Sequence, residues 1–163
     1  MLIPSPIEVL TYPIFTEKKI NVYVKRDDLI HPEISGNKWR KLKYNLIEAK
    51  AQHKKTILTF GGAYSNHISA TGAVGKIFGF KTIGVIRGEE TLPLNPTLLQ
   101  AKKDGMKLLY VSRADYRKKN TAEFIEKLKD ALGDFYIIPE GGGNKLGVLG
   151  CNDIVNEIDI DFN

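Results

Sequence analysis

The segment SGNKWRKL, residues 35–42, places several cations directly after a turn of small residues. A lysine that acts as a nucleophile must lose its proton near neutral pH, and desolvation or a neighbouring cation lowers its pKa. Lys38 has candidates for both effects, because Trp39 follows it and Arg40 and Lys41 lie close by. Adjacent residues do not share a helix face, however, so this segment alone favours a solvated helix surface over a reactive lysine.

A second candidate is the segment GGAYSNH, residues 61–67, which follows a short apolar stretch. Two glycines let the backbone approach a ligand closely. The start of a following helix offers free N–H groups and a positive dipole end to a carboxylate or phosphate. Ser65, Asn66 and His67 add a hydroxyl, an amide and an imidazole. The alternative is that Ser65 or Asn66 only caps the helix.

Other polar residues favour structural roles. The segment EGGGN, residues 140–144, could hold an anion, but a turn between strand and helix is the simpler interpretation. Cys151 is the only cysteine, and we expect it to be a small core residue of the last helix. The Asp27-Asp28 pair is more typical of turns and caps than of paired catalytic acids. The histidines outside GGAYSNH have no partners at the spacing of zinc ligands.

Strands and helices alternate along the second part of the chain. Apolar runs predict strands at residues 56–60, 81–86, 106–111 and 135–139, each followed by a helical pattern. Such alternation predicts parallel pairing through right-handed crossovers, and therefore an open α/β sheet with helices on both faces. Ligands bind beyond the carboxyl ends of such strands, where GGAYSNH and EGGGN lie.

The first part of the chain does not fit this pattern. Residues 1–21 are rich in proline and are predicted to be irregular, whereas VYVKR, residues 22–26, alternates like a strand. A helix capped by Asn37 or Ser35 is predicted to run to about His53. A lone strand needs a partner sheet. We therefore expect strand 22–26 either to join the edge of the α/β sheet or to pair outside this chain.

Composition narrows the class of protein. The 163 residues carry a net charge of +5, and the basic residues are scattered without interleaved aromatics, which argues against a nucleic-acid binder. No apolar run approaches the ~20 residues that span a bilayer. The single cysteine excludes an internal disulfide, and the N-terminus lacks the pattern of a signal peptide. We expect a soluble cytoplasmic protein.

Four segments together resemble one family, namely VKRDDL, GNKWRKL, GGAYSNH and EGGGNKLGVLG in this order. The family comprises pyridoxal-phosphate-dependent enzymes that include 1-aminocyclopropane-1-carboxylate deaminase and D-cysteine desulfhydrase, with the tryptophan-synthase-β-like fold (fold type II). The resemblance implies that residues 50–158 form the small α/β domain. It also implies that residues 1–49 are the N-terminal part of the large cofactor domain, including the lysine helix.

The resemblance assigns roles residue by residue. Lys38 matches the lysine that binds the cofactor covalently, and Asn66 matches the residue that hydrogen-bonds the cofactor's phenolic oxygen. Ser65 matches a serine beside the substrate with a part in proton transfer. The amides around Ser65, Asn66 and His67 match the site for the substrate carboxylate. Members of the desulfhydrase type resemble His67 here, whereas the deaminases typically have glutamine, so the sequence leans towards desulfhydrase chemistry.

The function implied is deamination or desulfhydration of a small amino acid, resembling D-cysteine or 1-aminocyclopropane-1-carboxylate, to a 2-oxo acid and ammonia. The resemblance also implies that the full-length form is a homodimer. The resemblance covers only about the first half of a member and omits the loop that binds the cofactor phosphate, so we expect a truncated chain that is inactive alone. The alternative is a non-catalytic α/β module that binds an anion or a partner protein.

Overall fold

The computed structural model of the chain describes residues 1–159, in which helices and strands alternate. The strands are β1 (Ile7–Leu10), β2 (Val22–Lys25), β3 (Thr56–Gly61), β4 (Lys81–Arg87), β5 (Lys107–Val111) and β6 (Tyr136–Ile138). The α-helices are α1 (Pro13–Glu17), α2 (Asn37–Ala51), α3 (Asn66–Phe78), α4 (Pro96–Lys103), α5 (Arg113–Tyr116), α6 (Ala122–Leu132) and α7 (Lys145–Asn156). No helix in this part of the chain combines the length and apolarity needed to cross a membrane.

Four parallel strands form the central sheet in the order β5-β4-β3-β6. The chain proceeds from β3 outward to β4 and β5, and then returns to place β6 on the opposite side of β3. The strand order therefore reverses between β3 and β6. In open α/β sheets, ligands bind in the crevice beyond the carboxyl ends of the strands at such a point.

Helices cover both faces of this sheet, as predicted. Successive side chains of a strand point to opposite faces, and neighbouring residues of β3 accordingly enter different cores. Ile57 packs with Leu46 of α2 and Val74 of α3, whereas Leu58 packs with Leu128 of α6. The predicted open parallel sheet with helices on both faces is therefore confirmed.

The N-terminal strand pairs within the chain, contrary to the prediction. β1 and β2 form an antiparallel pair, with Ile7 opposite Lys25 and Leu10 opposite Val22. Both predicted alternatives for the partner of β2 are therefore wrong, as is the irregular interpretation of residues 1–21. Prolines flanking the four-residue strand β1 concealed it. Pro13 begins α1, because the first helical position does not need a backbone N–H.

Helix α7 packs along α2 at very short range. An added Cβ at Gly150 would lie 2.8 Å from the carbonyl carbon of Arg40 and closer still to its oxygen, so only glycine fits at this crossing. Lys43 donates a hydrogen bond to Asp153 across the same interface at 2.5 Å. The division of the chain near residue 49 stays a prediction.

Candidate functional site

A hydrogen-bonded relay joins the two strands where the sheet order reverses. The Thr59 hydroxyl lies 2.8 Å from the carbonyl oxygen of Ile138 and 3.0 Å from Nε2 of His67. A hydroxyl has one proton, and the carbonyl can only accept. Thr59 therefore donates to Ile138 and accepts from His67 Nε2–H. This arrangement fixes the neutral tautomer of His67, with an unprotonated Nδ1.

The imidazole of His67 is buried in the protein. Its residue is 2% exposed, and Nδ1 has no hydrogen-bond partner among residues 1–159. Burial first, and then the charges of Lys38 and Lys41, lower the pKa of His67 to about 4. His67 is therefore neutral near pH 7. The structure places its side chain against Thr59, so only its backbone is available for the predicted contact with a substrate carboxylate.

A cleft of about 660 Å³ brings two of the predicted site residues together. Lys38 and Asn66 both line it, although they belong to the first turns of different helices, α2 and α3. Ser65 and His67 are not among the lining residues. Glu33 and Gln100 also line it, and the complete lining comprises Pro32, Glu33, Ser35, Gly36, Asn37, Lys38, Asn66, Ser69, Ala70 and Gln100.

The surroundings of Lys38 shift its titration towards the neutral amine. Burial first, and then the charge of Lys41, lower the pKa of Lys38, while Cys151 opposes the shift. Its Nζ donates a hydrogen bond to Asn37 Oδ1 at 2.7 Å. Trp39, which the sequence suggested as a source of desolvation, instead stacks on Phe78 in the core at a centroid distance of 5.7 Å.

The segment GGAYSNH forms the start of α3. Ser65 is the N-cap, and its Oγ accepts a hydrogen bond from the Ile68 N–H at 3.4 Å. Gly61 permits this turn, since an added Cβ would lie 2.5 Å from Ile68 Cγ1 and 2.8 Å from Ser65 Oγ. Asn66 is exposed at the first helical position. Capping by Ser65 is therefore observed, and its hydroxyl proton remains available to a ligand.

The segment EGGGN packs against α2, α3 and the end of β3. An added Cβ at Gly142, which has a φ of +70°, would lie 2.9 Å from Lys41 Cβ and 3.5 Å from His67 Cε1. Asn144 caps α7 by accepting from the Gly147 N–H at 2.9 Å. The segment is thus a turn and a helix cap, which is the simpler of the two interpretations of its sequence.

A buried ion network around Arg40 was not predicted. Arg40 is only 3% exposed and makes two hydrogen bonds to Asp27, at 2.6 and 2.7 Å, and two to Glu157, both at 2.9 Å. Ser5 also donates to Asp27 at 2.7 Å, and Lys25 pairs with Glu157 at 3.2 Å. Arg40 lowers the pKa of both carboxyl groups, that of Glu157 to about 2. Both members of the aspartate pair are therefore held in ion pairs, Asp27 with Arg40 and Asp28 with Arg26.

A metal centre finds no support in the described part of the chain. Among residues 1–159, no group of three or more histidine, cysteine, aspartate or glutamate side chains could hold a metal ion. The polar groups that line the cleft include the Glu33 carboxylate and several hydroxyls and amides, and among them are the Lys38 amine and the Asn66 amide at the N-terminus of α3. These groups suit a ligand with carbonyl and anionic functions.

Comparisons with known proteins agree with this arrangement. A Thermotoga maritima protein assigned as a 1-aminocyclopropane-1-carboxylate deaminase is 38% identical over 158 residues, covering 95% of this chain and 50% of the relative. An Arabidopsis thaliana protein, named as a bifunctional D-cysteine desulfhydrase and 1-aminocyclopropane-1-carboxylate deaminase of mitochondria, is 31% identical over 170 residues, covering 99% and 42%. No family profile matches the chain.

A solved structure supports the same relationship. The crystal structure of an ACC deaminase homologue superimposes with a TM-score of 0.78 at 37% sequence identity, covering 94% of this chain and 47% of that one. The chain thus spans about half the length of the curated relatives that it matches. The predicted resemblance is confirmed: the chain is related to the family of 1-aminocyclopropane-1-carboxylate deaminases and D-cysteine desulfhydrases, and corresponds to the N-terminal half of its members.

Proposed function

We propose that this chain is the lysine-bearing half of a pyridoxal-phosphate-dependent enzyme that deaminates or desulfhydrates a small amino acid. The products would be a 2-oxo acid and ammonia. The observation that carries the proposal is the single cleft that Lys38, with its lowered pKa, and Asn66 line together. D-Cysteine and 1-aminocyclopropane-1-carboxylate, the compounds that the relatives' names mention, are the substrates to test first.

The residues of the cleft fit an aldehyde cofactor. Only a neutral amine adds to an aldehyde, and burial together with Lys41 favours the neutral form of Lys38. The Asn66 amide is exposed on the same cleft and has donors for a phenolic oxygen. The cofactor, when bound, supplies an electron sink for the carbanion of the substrate.

The other residues then have separable tasks. The Ser65 N–H donates to the Gly62 carbonyl, but the N–H groups of Asn66 and His67, at the first two positions of α3, have no intrahelical acceptor and can bind a substrate carboxylate. Ser65 Oγ accepts from Ile68 and keeps its own proton, which it can deliver to the substrate. His67 contacts Thr59 and not the cleft, so its effect on substrate choice would be exerted through the position of the α3 backbone.

Absorbance spectroscopy tests the role of Lys38. Adding pyridoxal phosphate should produce the visible band of a lysine-bound aldehyde, and Lys38→Ala should remove that band. Lys127→Ala is the matched control, because Lys127 is exposed on α6 and pairs with Glu123. Borohydride reduction followed by peptide mass spectrometry should locate the label on Lys38. An unchanged band in Lys38→Ala would refute the assignment.

The isolated chain separates the two functional alternatives. Stable folding without any absorbance change would favour the second candidate, a non-catalytic α/β module that binds an anion or a partner protein. We infer that the 163-residue chain alone lacks turnover and that the full-length form is a cytoplasmic homodimer, on the basis of the family resemblance and the single cysteine. Activity assays with and without the complementary half, together with analytical ultracentrifugation, test these points.

A further inference from the structure

The helix turn that carries Lys38 has no side-chain cap. Helix α2 begins at Asn37, and its N-cap is Gly36, which has a φ of +62° and offers no side chain to the free N–H groups. The Lys38 N–H reaches only the Ser35 carbonyl, at 3.4 Å. Uncapped first turns fray readily. Other contacts must therefore hold Lys38 in the cleft.

Asp27 supplies those contacts from both sides of Lys38. Its backbone carbonyl accepts a hydrogen bond from the Gly36 N–H at 2.9 Å, two residues before Lys38. Its carboxylate accepts two hydrogen bonds from Arg40, two residues after Lys38. One residue thus brackets the turn, and Ser5 fixes the same carboxylate.

Arg40 is well suited to this task. Its planar guanidinium lies between the carboxylates of Asp27 and Glu157 and binds each through two hydrogen bonds, a geometry that lysine cannot reproduce. Arg40 does not line the cleft. Any influence on Lys38 is therefore exerted through the backbone of α2, and Arg40 takes no direct part in the chemistry.

We propose that Arg40 is a positioning residue that, through its paired hydrogen bonds to Asp27, holds the first turn of α2 so that Lys38 stays in the cleft beside Asn66. This inference rests on the proposed function, since it concerns the lysine that is to meet the aldehyde. It gives the two carboxylates around Arg40 different roles. Asp27 brackets the lysine turn, whereas Glu157 anchors the end of α7.

Two variants separate positioning from general stabilisation. Asp27→Asn and Glu157→Gln each weaken one of the two ion pairs of Arg40, but only Asp27→Asn loosens the bracket around Lys38. Competitive acetylation with mass spectrometry measures the pKa and reactivity of Lys38 without any cofactor. We expect the Lys38 pKa to rise towards that of an exposed lysine in Asp27→Asn, and to stay at its wild-type value in Glu157→Gln.

Substitutions of Arg40 itself extend the comparison. Arg40→Met should raise the Lys38 pKa as Asp27→Asn does. Arg40→Lys should give a smaller rise, because the lysine keeps the charge but not the paired hydrogen bonds. Arg26→Met is the control, because Arg26 also binds two carboxylates, those of Glu8 and Asp28, but is partly exposed and does not line the cleft. If circular dichroism shows that Arg40→Met does not fold, the comparison of Asp27→Asn with Glu157→Gln still tests the inference.

Cofactor binding provides a second measurement. Apparent affinity for pyridoxal phosphate should fall about tenfold in Asp27→Asn, the equivalent of one weakened charge-assisted hydrogen bond, and less than twofold in Glu157→Gln. Equal behaviour of the two variants in both assays would overturn the inference while leaving the proposed function intact. A wild-type chain that is never labelled at Lys38 would instead overturn the proposed function.

Discussion

Substitution of Gly150 by alanine tests the packing that brings α7 against the lysine helix. The added Cβ would lie 2.8 Å from the Arg40 carbonyl carbon and 3.4 Å from Tyr44 Cδ2. Carbon atoms pack at about 3.5–4.0 Å, so the helices must separate by roughly 1 Å. The obstacle is backbone and cannot rotate away. We expect Gly150→Ala to lower the free energy of unfolding by about 2 kcal/mol, as overpacked sites do.

Urea denaturation followed by circular dichroism measures this loss. With a denaturant slope of about 2 kcal/mol per molar, the midpoint should fall by about 1 M. Gly143→Ala is the matched control, because the nearest atom to its Cβ is the Glu140 carbonyl oxygen at 3.5 Å and its φ is −81°. If the midpoint of Gly150→Ala equals that of Gly143→Ala, the close crossing of α2 and α7 is refuted.

Three further predictions concern titration and the relay at the sheet edge. The folded-state pKa of Glu157 is about 2, below the usual 4.5, so its stabilisation is complete above pH 4.5 and is lost as the pH falls towards 2; Glu157→Gln should flatten the stability profile there, and an unchanged profile would contradict the ion pair. His67, lowered from 6.5 to about 4, makes stability fall between pH 6.5 and 4, and His67→Gln should abolish that portion; an NMR titration with a midpoint near 6.5 would show that the ring is not buried. Thr59→Val leaves the His67 Nε2–H and the Ile138 carbonyl without this partner and should destabilise the fold by about 2 kcal/mol, whereas Thr56→Val at the start of the same strand should change it by less than half as much.

The parallel sheet was predictable because its determinants are local. Short apolar runs mark the strands, and caps mark the helices between them. Asn95 caps α4 with Pro96 at the first helical position, and Thr121 caps α6, and these residue types are the preferred ones at such positions. The pairing of Lys38 with Asn66 in one cleft was predicted only through the family resemblance, because no local pattern relates α2 to α3.

The features that escaped prediction depend on distant partners. Arg40 lies among exposed-looking cations, and the carboxylates that bury it are 13 and 117 residues away in the sequence. The polar run that ends in His67 predicts contact with a ligand, but β3 supplies Thr59 and buries the ring. Long-range pairing of this kind leaves no periodicity in the sequence.

Ligand binding in the cleft should depend on whether the hairpin of β1 and β2 is closed. None of its residues belongs to the core clusters found within residues 1–159, and Val9 is 60% exposed. Such a unit opens with a free energy below that of global unfolding. Lys25, in β2, pairs with Glu157, and Asp27, two residues further on, binds Arg40, so each opening would weaken the ion network around Arg40. Hydrogen exchange of the hairpin amides should therefore report the fraction of molecules in which the hairpin is closed. The apparent dissociation constant of a ligand in the cleft should scale inversely with that fraction.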